Sequence, residues 1–418
     1  MQTESSPRVV IVGGGFGGLY AAQALRNAPV AVTLIDRKNH HSFQPLLYQV
    51  ATAGLSPGDI AKPIREILRH QKNAEVLMAA VTGFDLARKQ VTLTGGEHPY
   101  DYLIIAAGAR HSYFGHDDWE KFAPGLKTLE DALEMRRRIL TAFEKAELEA
   151  DVAGAQGPLN FVIIGAGPTG VELAGALAEV AGKSLARDFR RIDPSKARIL
   201  LLEGGPHVLP SYPEDLSRSA EEQLRALGVE VRTGAQVTRV EADAVFIGKD
   251  EERLPAAVVL WAAGVQASPL GKLLGVPTDH CGRVVVGPDL SLPGHPDVFV
   301  IGDLASIKRA DGHPVPGVAP AAIQMGRWTA KNIIRDLEHK PRRDFEYVDK
   351  GSLATIGRAA AVAEFGKVHI SGIVAWVAWL VIHLFSLIGF RNRAMVMTEW
   401  AWSYVTFQKA ARLITDPK

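Results

Sequence analysis

The sequence predicts an α/β protein in which helices cover parallel sheets. Short runs rich in Val and Ile alternate with longer helical patterns through most of the chain, which is typical of such sheets. Three of the runs end at a glycine: VVIVG before Gly14, FVIIG before Ala166 and VFVIG before Asp303. The 418 residues are enough for two or three domains of about 150 residues each.

Composition excludes several classes of protein. The chain has 47 Lys and Arg against 46 Asp and Glu, a net charge of +1, so charge does not favour nucleic acid as a partner. Cys281 is the single cysteine, which excludes an intramolecular disulfide, a redox dithiol and a Cys-based metal or iron-sulfur site. We predict no metal site, and a protein that faces a reducing compartment.

The first glycine motif lies in VVIVGGGFGGLYAAQAL, where Gly13, Gly15 and Gly18 have GxGxxG spacing between a strand and a helix. Such glycines allow a tight turn, a close approach of pyrophosphate to the backbone, and close packing of helix on strand. Asp36 ends the next strand, 23 residues after Gly13, where a carboxylate accepts hydrogen bonds from ribose hydroxyls. A merely structural turn is the alternative.

A second copy of the motif places Gly165, Gly167 and Gly170 in the same spacing, and its partner strand ends at Glu203, 38 residues after Gly165. The sequence therefore predicts two Rossmann-like dinucleotide-binding domains and electron transfer between their ligands. We expect NADH rather than NADPH in the second site, because the Glu203 carboxylate would repel an additional ribose phosphate.

Five further segments, taken with the two motifs, resemble the type II NADH dehydrogenases of the two-dinucleotide-binding flavoprotein superfamily. They are FQPLLYQVATAGL (43–55), LIIAAGA (103–109), WAAGV (261–265), VIGD (300–303) and IHLFSLIGFRNR (382–393). The resemblance implies FAD in the first cradle, NADH as the substrate in the second, a membrane quinone as the electron acceptor, and a homodimer.

The expected domains follow from this resemblance and from shifts in composition. A charged, helical pattern over 118–151 precedes the linker-like DVAGAQGP, and composition changes again near Phe345. We expect an FAD-binding domain at 1–115 and 290–345, interrupted by an NADH-binding domain at 116–289. A C-terminal segment for membrane anchoring or dimerisation is expected at 346–418.

The resemblance also implies which residues contact the cofactor and the substrate. Val81 is expected to contact adenine through its main chain, and Asp303 the ribityl and phosphate part of FAD, although Asp303 could also be an ordinary helix N-cap. The expected FAD contacts are Gly13, Gly14, Gly15, Phe16, Gly17, Gly18, Asp36, Arg37, Val81, Ala107, Gly108, Gly302 and Asp303. The expected NADH contacts are Gly165, Gly167, Pro168, Thr169, Gly170, Glu172, Glu203, Ala263 and Gly264.

Glu172 is the leading catalytic candidate, because the resemblance places it near the flavin and the nicotinamide, where it is expected to assist quinone protonation or positioning. The alternative is an acid in the first helical turn, stabilised by the helix dipole.

The quinone motif of the family, AQxAxQ, here has Pro320 in place of its first glutamine, and Pro320 suits a first helical turn. Quinone contacts are expected at Ala319, Pro320, Ile323 and Gln324, with Gln324 also a catalytic candidate; the alternative for Gln324 is a helix-surface amide.

The C-terminal region has 23 residues, 368–390, without Asp, Glu, Lys or Arg. One helix of that length, about 35 Å, could cross a bilayer, but Arg391 and Arg393 would then lie on the far side, against the positive-inside tendency. We expect instead a helix lying in the headgroup region, with Arg391, Arg393, Lys409 and Arg412 near anionic lipid. A buried core or dimer helix is the alternative.

The predicted function is a non-electrogenic NADH:quinone oxidoreductase, in which a hydride passes from NADH to FAD and two electrons then reduce a membrane quinone to quinol. The predicted location is peripheral, or monotopic, on the cytoplasmic face of the cell membrane. Two alternatives remain: an FAD-dependent NADH reductase of a soluble carrier, and a flavoprotein similar to apoptosis-inducing factor that acts mainly through interactions.

Overall fold

The computed structural model describes residues 6–154, 157–309, 311–388, 390–406 and 411–414, without the side chains of residues 153, 390, 391 and 405. In chain order the α-helices are α1 (Phe16–Ala24), α2 (Leu47–Ala51), α3 (Pro57–Ile60), α4 (Ile64–Leu68), α5 (Leu129–Ala153), α6 (Pro168–Glu179), α7 (Glu214–Ala226), α8 (Ala319–Leu337), α9 (Gly372–Ser386) and α10 (Phe390–Thr406).

The strands are interspersed with these helices. In order they are β1 (Arg8–Val12), β2 (Ala31–Asp36), β3 (His40–Ser42), β4 (Ala61–Pro63), β5 (Ala74–Met78), β6 (Val81–Asp85), β7 (Gln90–Leu93), β8 (Gly96–Pro99), β9 (Tyr102–Ile105), β10 (Ala109–His111), β11 (Asn160–Ile164), β12 (Arg198–Leu202), β13 (Val229–Arg232), β14 (Val237–Val240), β15 (Ala244–Ile247), β16 (Glu252–Pro255), β17 (Val258–Trp261), β18 (Val265–Ala267), β19 (Val284–Val285), β20 (Ser291–Leu292), β21 (His295–Val300), β22 (Ala305–Ser306), β23 (Ser352–Gly357), β24 (Ala360–Phe365) and β25 (Val368–Ser371). Within the described chain, β5 to β10 and β13 to β22 follow one another without an α-helix between them.

Contacts divide the chain into two compact units. The first unit comprises the chain up to Ser42, Ala61–Arg110 and Val265–Asp349, and the second comprises Phe43–Ile60, His111–Gly264 and the chain from Lys350. This division differs from the expected domains in three ways. Residues 265–289 group with the first unit, residues 43–60 and 111–115 group with the second, and the C-terminal segment from Lys350 also groups with the second. The functional domain boundaries stay a prediction.

The first unit is built on a six-stranded sheet with the strand order β20-β21-β9-β1-β2-β5. Strands β9, β1, β2 and β5 are parallel, β21 joins them in parallel, and only β20 is antiparallel to its neighbour. Strand β1 is central, and its residues from Val9 to Val12 are almost fully buried, as expected for a strand covered on both faces. The first glycine turn follows β1 and therefore lies at the carboxyl edge of the sheet.

The second unit repeats this arrangement in a four-stranded parallel sheet with the order β13-β12-β11-β17. Strand β11 is central here, flanked by β12 and β17 just as β1 is flanked by β2 and β9. The unit also contains two antiparallel sheets, β14-β15-β16 and β23-β24-β25. The α/β class with two parallel sheets, predicted from the apolar runs, is confirmed.

Helix α5 shows how local sequence sets the helix ends. Thr128 is its N-cap and forms a capping box with Asp131, and Gly154 ends it in the left-handed conformation at φ +71°. The helix occupies the later part of the predicted helical stretch 118–151. It also extends to Ala153 and so takes up the start of the predicted linker.

The C-terminal segment corrects the expectation of one long apolar helix. Residues 368–371 form β25, which pairs with β24, and the helix that follows, α9, has only 15 residues. The backbone of β25 is engaged by its sheet, so those residues cannot extend the helix. Among the described residues, none of the helices combines the length and the apolar character needed to cross a bilayer.

Two of the four cations expected near lipid are held within the protein. Arg393 donates to the Leu387 carbonyl at 2.9 Å, and Arg412 forms an ion pair with Asp188 and donates to the Ser184 carbonyl at 3.1 Å. Lys409 lies outside the described residues, as does the side chain of Arg391. These bonds use only some of the five N–H donors of each guanidinium, so contact of Arg393 and Arg412 with lipid stays a prediction.

Candidate functional site

The first glycine turn has the geometry of a phosphate cradle. Gly13 has φ +103° and its amide donates to the Ile35 carbonyl at 2.8 Å, which ties the turn to β2. A Cβ on Gly18 would overlap the carbonyl of Gly13, so only glycine fits there. At Gly15, the N-cap of α1, a Cβ would meet nothing within 4 Å, and no side chain caps the helix. The start of α1, which no side chain caps, can therefore receive an anion.

Asp36 closes this cradle from the end of β2. Its carboxylate accepts hydrogen bonds from the amides of Gly14 at 2.6 Å and Lys38 at 2.7 Å. His41 is buried and its Nδ1 lies 2.9 Å from the Gly14 carbonyl. The pKa of His41 is lowered, chiefly by burial, so a neutral ring supports the turn.

The other expected FAD contacts lie in the same unit. A Cβ on Gly13 would overlap the carbonyl of Ala106, so the LIIAAGA segment lies directly against the turn, and Gly17 lies against Ile301. Gly302, at φ +70°, begins a 3-10 helix that contains Asp303. The residue at the N-cap is Ile301, so Asp303 is not the N-cap. Val81 begins β6, and Arg37 is exposed beside Asp36.

These residues fit FAD. The open space over Gly15, the uncapped start of α1 and the carboxylate of Asp36 are the features that a pyrophosphate and a ribose require. The individual contacts stay a prediction.

The second glycine turn repeats the first in detail. Gly165 has φ +97° and its amide donates to the Leu202 carbonyl at 2.7 Å. A Cβ on Gly170 would overlap the Gly165 carbonyl, whereas one on Gly167 would meet nothing within 4 Å. Glu203 accepts from the amide of Ala166 at 2.8 Å, which is the counterpart of the bond between Asp36 and Gly14.

The WAAGV segment lies against the second turn as LIIAAGA lies against the first. A Cβ on Gly165 would overlap Ala263, and a Cβ on Gly264 would lie 2.8 Å from the ring of Phe114. Phe114 is 67% exposed and has φ +52°, so an apolar ring is presented beside this glycine. The expected NADH contacts thus lie together within the second unit.

Glu172 lies on α6, in the second helical turn rather than the expected first turn, since the helix begins at Pro168. Burial raises the pKa of Glu172 to about 8, and hydrogen bonds from the Thr355 backbone and the Trp379 side chain oppose this only in part. The Trp379 indole makes no hydrogen bond of normal geometry to a described residue, so its contact with Glu172 is weak. Stabilisation by the helix dipole would lower the pKa and is therefore not the dominant effect.

Glu172 lines a cavity of about 70 Å³ in the second unit. Aromatic side chains surround this cavity, and Arg358 and Glu179 line it as the other charged residues. The Arg358 amide donates to Glu179 at 2.6 Å. A protonated Glu172 can donate a hydrogen bond to a polar atom that enters this cavity. The lining aromatic residues are Tyr48, Trp376, Trp379, Trp400 and Tyr404.

Several residues in and beside this cavity had no role predicted from the sequence. Tyr48 and Gln49 lie in the FQPLLYQVATAGL segment, which was used only for the resemblance. His383 stacks on Trp379 with 4.3 Å between ring centroids and lies 2.8 Å from the Trp379 carbonyl. Burial lowers the pKa of His383 to about 4, so it is neutral. The adjacent polar pair within the apolar run LLYQVA was the signal that could have found Tyr48 and Gln49.

The expected quinone contacts lie at the start of α8 in the first unit. Pro320 is the second residue of the helix, which confirms that it suits the first turn. Gln324 exchanges two hydrogen bonds with the backbone of Val348, each 2.9 Å long. Its amide keeps one further N–H and one further lone pair for a ligand, and its quinone contact stays a prediction.

Two cradles of one design, each closed by a carboxylate, define a class of oxidoreductase that binds two dinucleotides. In agreement, residues 7–326 match the family described as Pyridine nucleotide-disulphide oxidoreductase. Residues 350–406 match the NDH2 C-terminal domain.

Two proteins of Mycobacterium tuberculosis are similar to this chain over almost its whole length. The type II NADH:quinone oxidoreductase Ndh is 47% identical over 98% of this chain and 90% of its own length. The type II NADH:quinone oxidoreductase NdhA is 48% identical over 98% of this chain and 89% of its own length. NDH2 from Plasmodium falciparum, solved in complex with NADH, shares the fold with a TM-score of 0.87 at 21% identity, over 98% of this chain and 100% of that one.

The chain belongs to the type II NADH:quinone oxidoreductase family. This confirms the family resemblance stated from the sequence, and with it the FAD-dependent class of enzyme.

Proposed function

We propose that this protein oxidises NADH and passes two electrons through FAD to a membrane quinone, without moving protons across the membrane. The observation that carries the proposal is the repetition of one cradle: the turns at Gly13 and Gly165 share their φ angles, their tie to the next strand and their closing carboxylate. Two matched cradles in one chain serve two dinucleotides, one held and one exchanged.

Bound FAD would supply the redox chemistry, accepting a hydride from NADH and returning two electrons to the quinone. The chain's own residues bind and orient. The N–H groups at the start of α1 and α6 hold pyrophosphate, and Asp36 and Glu203 receive the ribose hydroxyls. The Glu203 carboxylate repels a 2′-phosphate, so NADH is the proposed nucleotide.

Glu172 is the proposed proton donor for quinone reduction. With a pKa of about 8 its carboxyl is largely protonated near neutral pH, which suits a general acid. The cavity beside it is lined by aromatic rings that suit a planar quinone. Gln324 and the residues before it on α8 are the proposed further contacts of the quinone.

The membrane contact is proposed for α9 and α10. Six apolar residues of α9 are between 39% and 69% exposed, namely Ile373, Val374, Val377, Val381, Ile382 and Phe385. An exposed apolar helix of this kind can lie in the headgroup region. We place the enzyme as a monotopic protein on the cytoplasmic face of the membrane, where NADH is available, and as a homodimer.

The test is the absorbance of the purified full chain. We expect a flavin spectrum that bleaches on addition of NADH and recovers on addition of ubiquinone-1 without oxygen. A colourless protein that does not take up FAD would overturn the proposal. Bleaching without recovery by quinone, but with recovery by a soluble protein carrier, would instead favour a carrier reductase.

A further inference from the structure

Gln49 is hydrogen-bonded on both sides of its amide group. The indole Nε1 of Trp400, on α10, donates to Gln49 Oε1 at 2.7 Å. Gln49 Nε2, on α2, donates to the hydroxyl of Tyr48 at 2.8 Å. Trp400 and Tyr48 are 6% and 5% exposed, so this chain of hydrogen bonds lies inside the second unit.

The direction of both bonds is fixed by chemistry. An indole N–H can only donate, so the side of the Gln49 amide that faces Trp400 must be its oxygen. The NH₂ group then faces Tyr48, and the Tyr48 hydroxyl must accept. The proton of that hydroxyl therefore cannot go to Gln49, and no described residue accepts it.

Tyr48 and Glu172 line the same cavity. The ring of Tyr48 is held edge-on against Trp379, with 6.5 Å between centroids. Burial, followed by the charge of Glu172, raises the pKa of Tyr48 well above its usual value. The hydroxyl thus keeps its proton at any working pH, as a buried, oriented donor with no acceptor among the described residues.

We propose that Tyr48 donates a hydrogen bond to the quinone oxygen that is reduced in this cavity, and that Gln49 and Trp400 are positioning residues which hold it in that role. The inference rests on the proposed function, since it names the group that receives the quinone oxygen.

The overall reaction does not consume the Tyr48 proton. The overall reaction converts quinone, NADH and one proton to quinol and NAD⁺, so that both carbonyl groups become hydroxyls. The two electrons and one proton come from NADH, and the second proton comes from solvent, with Glu172 as the proposed carrier. Negative charge develops on an oxygen when electrons arrive ahead of protons, and a preorganised donor stabilises that charge.

The variants separate the hydroxyl from its orientation. Tyr48→Phe removes the donor and keeps the ring. Gln49→Glu keeps the Tyr48 hydroxyl, but a carboxylate accepts from Trp400 and from Tyr48 alike, so it takes the Tyr48 proton away from the cavity. Trp400→Phe removes the indole N–H that donates to Gln49, so the Gln49 amide group can rotate. The matched control is Tyr100→Phe, which removes a buried hydroxyl that has no hydrogen-bond partner in the described structure and does not line the cavity.

The experiment is stopped-flow absorbance of each flavin-loaded, full-length protein without oxygen. NADH is mixed first, and ubiquinone-1 is mixed with the reduced protein second. We expect all four variants to match the wild type in flavin content and in the rate of bleaching. Reoxidation should slow by about 10- to 100-fold in Tyr48→Phe and Gln49→Glu, less in Trp400→Phe, and not in Tyr100→Phe.

The proposed function and the proposed role of Tyr48 would be contradicted by different results. If wild-type protein is bleached by NADH but not reoxidised by ubiquinone-1, the proposed function fails whatever the variants do. If wild type is reoxidised and Tyr48→Phe keeps the same rate, the role of Tyr48 is wrong and the proposed function stands. Equal slowing of bleaching and reoxidation would also overturn it, because a structural role predicts that result. Normal reoxidation in Gln49→Glu would remove Gln49 from the positioning role.

Discussion

The Glu203 carboxylate accepts a hydrogen bond from the Ala166 amide at 2.8 Å and a second from the Gly205 amide at 2.8 Å. It therefore spans the second glycine turn and the loop that follows β12. Its position is fixed by two backbone donors, so its negative charge is held where a dinucleotide ribose would lie.

Glu203→Gln should reduce the preference for NADH over NADPH. The neutral amide no longer repels a 2′-phosphate, and we expect the ratio of kcat/KM values to fall by about tenfold, or about 1.4 kcal/mol. Steady-state kinetics with both nucleotides measure this. Asp36→Asn is the matched control: it changes the equivalent carboxylate of the other cradle and should lower flavin content while leaving the nucleotide ratio alone. Equal efficiency of the wild type with both nucleotides would contradict the assignment.

Gly15→Ala and Gly167→Ala should separate the two cradles. Both glycines have φ near −70° and open space at the Cβ position, so alanine is compatible with the fold. A methyl group there occupies the space of a pyrophosphate. We expect Gly15→Ala to be purified with little flavin, and Gly167→Ala to keep its flavin but show a KM for NADH at least about tenfold higher.

The control for this pair is Gly182→Ala, which also places a methyl in open space but outside both cradles. Flavin absorbance measures the first cradle and NADH kinetics measure the second, and thermal unfolding of all three variants shows whether the fold is kept. The cradle assignments are wrong if Gly15→Ala retains full flavin content, or if Gly167→Ala loses it.

Glu172→Gln should slow quinone reduction and leave FAD bound. The protonated carboxyl is the donor form, and with a pKa of about 8 it is lost as pH rises through that value. Wild-type quinone reduction should therefore fall above pH 8, whereas the slower Glu172→Gln variant should show no such decline. Reoxidation rates between pH 6 and 9.5 measure both profiles. Unchanged turnover in the variant would remove Glu172 from the mechanism.

The raised pKa of Glu172 also predicts how the stability of the folded protein depends on pH. Its pKa is raised in the folded protein from a usual value of 4.5 to about 8, so between these values the folded state binds more protons than the unfolded state. Stability must then decrease as pH rises through this window. Glu172→Gln lacks this ionisation, so its Tm should exceed that of the wild type by an increasing margin from pH 5 to pH 8. A constant difference in Tm would show that Glu172 does not titrate there.

Val377→Asp combined with Val381→Asp should weaken membrane binding. Both side chains are about half exposed on one face of α9. A charged side chain at the boundary between headgroups and acyl chains would remove the apolar burial that holds the helix there. Co-sedimentation with vesicles containing anionic lipid should show release of the double variant. Val152→Asp, which changes an 85% exposed valine on α5, is the control and should still sediment. Undiminished sedimentation of the double variant would place the anchor elsewhere.

The sequence was sufficient for both cradles. Gly13, Gly18, Gly165 and Gly170 were found because a tight turn after a buried strand is a local feature: backbone sterics within a few residues decide it, and only glycine fits. The acid at the end of the next strand was found for a different reason: parallel pairing of consecutive strands in this motif brings that strand end to the turn. Most of the candidate FAD and NADH contacts follow from these local patterns.

What the sequence missed depends on contacts between distant segments. Gln49 and Trp400 are 351 residues apart, and their hydrogen bond is invisible to any local pattern. The bonds from Gln324 to Val348, and the pairing of β25 that shortens the apolar helix, are of the same kind.

By itself the sequence thus determined the fold class, the two nucleotide cradles, the exclusion of disulfide chemistry and the family. Only the tertiary structure decided that burial raises the pKa of Glu172 to about 8 and that the Tyr48 hydroxyl accepts from Gln49 beside the same cavity. The physical reason is that local backbone geometry is encoded by neighbouring residues, whereas desolvation and the direction of a hydrogen bond depend on what the fold packs around each group.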